Sequence, residues 1–357
     1  MSIVQAHARA SRSRALAGAA VLVGLAAVLA GCSSNTSSPT PSASGTSASA
    51  PAAGTTLQIA VIPKGSTHSY WESIHAGAVK AQEELATKGT NVKILWNGPA
   101  REDDRTAQIQ IVQTFVSQGV SAIVLAPLDE QALAHPVNDA VAQKIPVVVI
   151  DSPLNSTAPV STVATDNEKG GELGGAELIK DLGGKGNVLM VRYQQGSAST
   201  EAREAGFLAA VAKAPGIKIV SDDQFAGATV DTAFKTSQNV LSRFGSQVNG
   251  IFCPNESSTL GMLLAVKDAN LTGKVKVIGF DTSDKLDQAL QTGAVQGLVA
   301  QDPVKMGYLG VMTAVDAIQG KPVQKSIDTG VNMITPANMN TPAMQALMHP
   351  PLSQYLK

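Results

Sequence analysis

Cysteine is nearly missing from this chain: 2 of 357 residues. Cys32 falls in a leader pattern described below, which leaves Cys253 alone. No disulfide framework can staple the fold, and Cys253, at the end of the apolar run "GIFC", reads as a buried, inert thiol. Histidine is scarce too. His7, His68, His75, His135 and His349 are scattered, and none has the H-x-x-x-H spacing that holds a metal on a helix; no metal site is expected. There is no G-K-[ST] loop and no G-x-G-x-x-G after the first strand. The glycines of "KGGELGG" (Lys169 to Gly175) lie in a helical stretch, where they allow close packing. No cofactor is expected. Positive charge is not in surplus, with 27 Lys plus Arg against 28 Asp plus Glu, so nucleic acid is not an expected partner. Aromatics make up only 4%, which makes the adjacent pair Tyr70–Trp71 stand out.

What is present begins with a leader. Arg9, Arg12 and Arg14 form a basic region, and Ala15 to Ala30 is an apolar run too short for a comfortable membrane span. It ends in "LAGC", Leu29 to Cys32, the pattern of a bacterial lipoprotein signal in which the cysteine takes the lipid. Residues 1–31 are read as that signal and Cys32 as the lipidation site. Ser33 to Thr56 is nearly all Ser, Thr, Pro, Ala and Gly, with no charge. Such a segment cannot bury enough apolar area to order itself, so it reads as a tether between a lipid anchor and a domain starting near Leu57. Losing the signal removes three arginines and no acids, so the 27 basic residues fall to 24 and the net charge becomes −4.

From Leu57 on, short apolar runs alternate with amphipathic stretches. Strands are expected at 57–63, 92–96, 122–126, 146–151 and 160–164, then at 187–191, 217–221, 250–253, 275–280 and 297–300. Helices are expected between them, among others at 69–87, 103–117, 200–213 and 230–244. "VVVI" and "VKVIGF" are apolar on both faces, which suits parallel strands covered by helices. Alternating β and α implies doubly wound α/β layers. Ten strands exceed one compact unit and the pattern restarts at "GGKGNVLMV", so two similar lobes are expected. "REDDR" (Arg101 to Arg105) reads as a helix start, where acids complement the dipole.

Open parallel sheets bind ligands beyond the carboxyl ends of their strands. The residues there are His68, Tyr70 and Trp71, then Asp151, Asn255, Asp281 and Gln301. Any one alone has a plainer reading, since Asp and Asn at strand ends commonly cap the next helix. Together, and with Arg203 in "AREAGF", Phe225, "TDN" (Thr165 to Asn167), "NE" (Asn255–Glu256), "GFD" (Gly279 to Asp281) and "AQ" (Ala300–Gln301), they make the chain from about Leu57 to Thr335 resemble the periplasmic sugar-binding proteins of ABC importers, the type I or ribose-binding class. The resemblance implies two α/β lobes around a cleft, joined by a three-segment hinge with crossings near Thr165, Asp302 and Thr335. The first lobe would comprise 57–165 plus 302–330, the second 166–301 plus 331–357. It implies a monomer that closes on a sugar or polyol and passes it to a membrane permease, with no catalysis, from a lipid-anchored position on the extracytoplasmic face of the cell membrane.

The chemistry agrees with that implication. Tyr70, Trp71 and Phe225 could cover the apolar faces of a sugar. Asp151, Asp281 and Arg203 offer charge-assisted bonds to hydroxyls, and Asn255 and Gln301 can donate and accept at once. The sequence departs from the family where Ser152 replaces a frequent Arg, His68 a frequent Asn, and Lys64 a small polar residue. Lys64 is either at the cleft mouth or a solvated surface lysine. These departures leave open an acidic or phosphorylated carbohydrate as ligand. A sugar-sensing lipoprotein that feeds a membrane receptor is a second reading. A repressor-type regulator would need a DNA-binding segment where the leader stands, and a glycosidase reading of Asp151 with Asp281 has no other catalytic signal beside it.

Overall fold

A computed structural model describes residues 55–66 and 68–356. The signal, Cys32 and nearly all of the tether lie outside the described residues. The first half of the domain runs β1 (Leu57–Ile62), α1 (Ser69–Thr87), β2 (Val92–Trp96), α2 (Arg105–Ser117), β3 (Ala122–Leu125), α3 (Ala134–Ala142), β4 (Val147–Ile150) and β5 (Ser161–Ala164). The second runs α4 (Asn167–Asp181), β6 (Gly186–Met190), α5 (Ala198–Ala212), β7 (Ile217–Ser221), α6 (Val230–Phe244), β8 (Gly250–Phe252), α7 (Glu256–Asp268), β9 (Lys276–Phe280), α8 (Asp284–Gln291) and β10 (Gly297–Ala300). Then come α9 (Pro303–Ile318), β11 (Ser326–Asp328), β12 (Asn332–Ile334) and α10 (Pro342–Met348).

The strands form two six-stranded sheets, in the orders β11-β5-β4-β3-β1-β2 and β12-β10-β9-β8-β6-β7. Every pairing is parallel except β10 with β12. All four residues of β4 are buried, because helices cover both faces and leave no solvent side for a polar residue. The chain passes from the first sheet to the second after β5, returns after β10 into α9, and passes over again between β11 and β12. Asp166 and Asp302, at the first two passages, cap α4 and α9 through their carboxylates.

The two lobes use one packing device. In the first, α1 crosses α9 with backbones nearly touching: a Cβ on Gly77 would lie 2.0 Å from the Val304 carbonyl, and one on Gly307 2.1 Å from that of Ile74. In the second, α4 crosses α5 the same way, with 1.9 Å from Gly171 to the Arg203 carbonyl and 2.0 Å from Gly206 to that of Glu168. The glycines of "KGGELGG" do serve close packing. Cys253 is free and fully buried, and burial pushes its thiol well up.

The ten strands read from the sequence are all present. β11 and β12 were not foreseen, since each has three residues, too few to show a period. The "REDDR" expectation of a helix start holds through one of its acids. Asp104 is the N-cap of α2, and Glu102 is buried at 5% exposure, away from the helix. Beyond β12, Met339 and Met348 pack into the core of the second lobe, and the turn Leu352–Gln354 lies against α1 of the first.

Candidate ligand-binding site

The carboxyl ends of both sheets face one another, and the loops after their strands line a small cavity between them. The two lobes contribute alike. Asp151 follows β4 and Asp281 follows β9, the third strand in each sheet order. Both hold φ in the left-handed region, 65° and 70°, a costly state for a residue with a Cβ. Their amides donate to the neighbouring strands, Asp151 N to Val163 O and Asp281 N to Val299 O. Each chain thus turns sharply at the strand end and aims a carboxylate into the cleft.

Around Asp151 the bonds are short. The Tyr70 hydroxyl donates to Oδ1 at 2.9 Å. Lys64 Nζ lies 2.8 Å from Oδ2 and donates to Ser199 Oγ in the opposite lobe at 3.0 Å. Lys64 is 3% exposed, so the surface-lysine alternative is set aside: its charge is paired inside the cleft. Burial, then the Asp151 charge, pushes the Tyr70 phenol well above its ordinary range, which keeps it a donor.

Trp71 packs edge-on to Tyr70, with centroids 5.0 Å apart. Both rings belong to the first lobe's core and also line the cavity. The Trp71 indole donates to Glu102 Oε1 at 2.7 Å. Glu102 also accepts from the Tyr193 hydroxyl across the cleft at 2.6 Å and meets His68 Nδ1 at 2.7 Å. Burial pulls the His68 imidazole down, but the Glu102 carboxylate outweighs it and the net shift is upward. Burial pushes Glu102 up in turn; His68, Trp71 and Tyr193 outweigh it and hold the carboxyl below its ordinary value.

In the second lobe, Arg203 on α5 donates to Asn167 Oδ1 at 2.8 Å and to the Pro254 carbonyl at 3.0 Å. Its guanidinium stacks 3.9 Å from the Phe280 ring centroid. Asn167 belongs to the first passage between sheets, so the hinge positions the arginine. Asn255 combines two duties: it caps α7 by accepting from Ser258 N at 3.2 Å, and it lines the cavity. Gln301 Nε2 donates to Asp281 Oδ1 at 2.7 Å. Burial raises the Asp281 carboxyl, and Arg203 offsets part of that.

Of the ten residues expected to touch ligand, Lys64, His68, Tyr70, Trp71, Asp151, Arg203, Asn255, Asp281 and Gln301 all line this cavity. Phe225 is the exception and is not part of the lining. It is 48% exposed, because its segment bridges to Arg192 through Arg192 N to Gln224 O and Ala226 N to Arg192 O, and its ring faces water. Tyr193, on the other partner of that bridge, lines the cavity instead. Glu102, Ser199, Thr200 and Glu256 also line it and were not foreseen as contacts. Glu256 was quoted only as part of "NE". Glu102 had no strand-end signal, because it lies seven residues past Leu95 in a loop rich in charge.

About 30 Å³ is open inside the cavity, room for a few waters at roughly 10–15 Å³ each. Lys64–Ser199, Glu102–Tyr193 and Ser152 Oγ accepting from Ser199 N at 3.0 Å hold the lobes together around it. A wider space of about 570 Å³ adjoins the cavity, shares His68, Tyr70, Glu256, Asp281 and Gln301, and is flanked by Met348 to Pro350.

Comparison with known proteins follows the same lines. The family model described as a periplasmic binding protein domain matches residues 59–322. The D-allose-binding periplasmic protein of Escherichia coli is 30% identical over 268 residues, 73% of this chain and 84% of that protein. A carbohydrate transporter solute-binding protein from Agrobacterium radiobacter, solved in complex with D-arabinose, superposes with a TM-score of 0.77 at 35% identity, over 82% of this chain and 99% of that one. One from Agrobacterium vitis with bound D-fucose gives 0.77 at 32%, over 82% of this chain and 100% of that one.

Proposed function

Because the chain belongs to the periplasmic binding protein domain family, in its type I sugar-binding class, we propose that it captures one sugar or polyol between its lobes and hands it to an ABC permease. It is a binding protein, like its relatives, and not an enzyme. The observation that carries the reading is the pairing of Asp151 and Asp281, held at positive φ on equivalent strand ends and facing one polar cavity. A carboxylate accepts two hydroxyl donors, and Arg203, Asn255 and Gln301 supply complementary groups, which matches the rim of a sugar. Tyr70, Trp71 and Tyr193 supply ring faces for its C–H surface. Ligand contacts made by both lobes at once exist only when the lobes are closed, so binding shifts the population towards the closed form.

The rest of the proposal rests on the leader. "LAGC" and the uncharged tether support lipid attachment at Cys32 on the extracytoplasmic face, with the domain acting as a monomer beside its permease. The lobes are taken to divide at the three passages between the sheets.

A thermal-shift screen of the full-length protein against pentoses, hexoses, deoxysugars, polyols and inositols tests the reading. A ligand at about a hundred times its Kd adds ~2.7 kcal/mol, a rise of several degrees for a domain of this size. A stereospecific rise is expected. A flat response to every carbohydrate would sink the proposal.

A further inference from the structure

Two buried oxygens in the cavity wall have no hydrogen-bond partner: Glu256 Oε2 and Gln301 Oε1. Their residues are 8% and 4% exposed, and both line the inner cavity and the wider space beside it. Asp281 is the reason for this arrangement. Its Oδ1 engages the Gln301 amide nitrogen, which turns the amide oxygen away. Its Oδ2 accepts from the Glu256 backbone N at 3.0 Å, which fixes the first residue of α7. Glu256 Oε1 takes the Ser69 hydroxyl from the opposite lobe at 3.4 Å. One corner of the site is left with two open acceptors, and the Ser283 hydroxyl beside Glu256 is the uncommitted donor next to them.

The charge of the wall points the same way. Glu102, Asp151, Glu256 and Asp281 face the cavity with Lys64, Arg203 and His68 as the basic groups. Lys64 is bound to Asp151, and Arg203 to Asn167 and the Pro254 carbonyl. The wall is net negative even with His68 charged. An incoming phosphate or carboxylate at the corner would meet two lone-pair acceptors and the Glu256 and Asp281 charges, with the Ser283 hydroxyl to donate and His68 already bound to Glu102, whereas an ammonium would donate to both oxygens and neutralise one carboxylate.

On the sugar-capture reading above, we propose that this corner accepts an amine: the ligand is a sugar or polyol bearing an amino group that donates to Glu256 and Gln301, and sugar phosphates and sugar acids are excluded. Burial, then the Asp281 charge, raises the Glu256 carboxyl to about 7, against the opposing pull of the His68 charge and the Ser283 hydroxyl.

The test is calorimetric titration, near pH 7.5, of the full-length protein and of Glu256→Gln. Matched sets are used: glucose, galactose, mannose, glucitol and ribitol; glucosamine, galactosamine, mannosamine, 1-amino-1-deoxyglucitol and 1-amino-1-deoxyribitol; and the corresponding phosphates and uronic acids. In at least one set the amine should bind at least tenfold tighter than its neutral parent, and in Glu256→Gln that ratio should fall at least tenfold. Glutamine keeps the side chain's size, and a melting curve checks that the variant folds. Neutral sugars binding with no amine tighter than its parent would overturn the inference and leave sugar capture standing. So would a phosphate or acid binding more tightly than its parent, or a ratio unmoved in Glu256→Gln. Failure of every carbohydrate would instead remove the sugar-capture reading on which this one rests.

Discussion

Single carboxyl groups carry much of what is distinctive here, and Asp287 gives the cleanest readout away from the cavity. It lies on α8 at 2% exposure, neither oxygen has a hydrogen-bond partner, and His349 Nδ1 is 3.7 Å from Oδ2. Burial raises its carboxyl to about 6; His349 opposes the shift and Asp284 adds to it. Folding therefore favours the protonated form. That contribution is fully present below the ordinary value of 3.8 and is lost as pH rises through about 6. Asp287→Asn removes the titration. Melting temperatures at pH 4.5 and 7.5 should show the variant gaining on the wild type by a few degrees at the higher pH; an equal offset at both would count against it. At this scale the sequence was informative where a strand end marks the spot, as for Asp151, Asp281 and Gln301. It was mute for Glu102, whose role depends on Tyr193 meeting His68 and Trp71 from a separate segment of the other lobe, and for the exposure of Phe225, because a local bridge to Arg192 decides how that segment lies.

Elements were more legible than residues. Parallel strands buried on both faces must be apolar throughout, so "VVVI" and "VKVIGF" announce themselves, and helix periods fill the gaps. β11 and β12 escaped, because a three-residue strand is defined by its partner, β5 or β10, and not by its own pattern. The helix pair α4–α5 joins packing to function. Gly171 lets α4 touch α5 at the Arg203 carbonyl, and the Arg203 side chain lines the cavity. Gly171→Ala forces a methyl group against the Arg203 carbonyl, which no side-chain rotation relieves, and overpacking of this kind costs typically 1–3 kcal/mol. The variant should melt several degrees lower and also bind its sugar at least tenfold more weakly, since α5 must move with Arg203 on it. Loss of stability with unchanged affinity would show that the crossing does not set the arginine's position.

For the whole molecule, two sheets with the same order of strands place equivalent acids face to face, and the chain passes between them where Asp166 and Asp302 cap helices and Asn167 holds Arg203. The fold class and the location of the cleft were readable from alternation and strand ends. The net charge of the cleft was not, because it depends on Glu102 and Glu256 turning inward. The account stands on capture of a carbohydrate in that cleft. Calorimetric titration of the full-length protein with pentoses, hexoses, amino sugars and polyols measures this directly, with Asp151→Ala alongside. One site per chain at micromolar affinity, about −8 kcal/mol, is the predicted result. The same titration of Asp151→Ala should weaken binding at least a hundredfold, since Lys64 is then left buried without its partner. Heat of binding from no carbohydrate, or equal affinity in Asp151→Ala, would contradict the account.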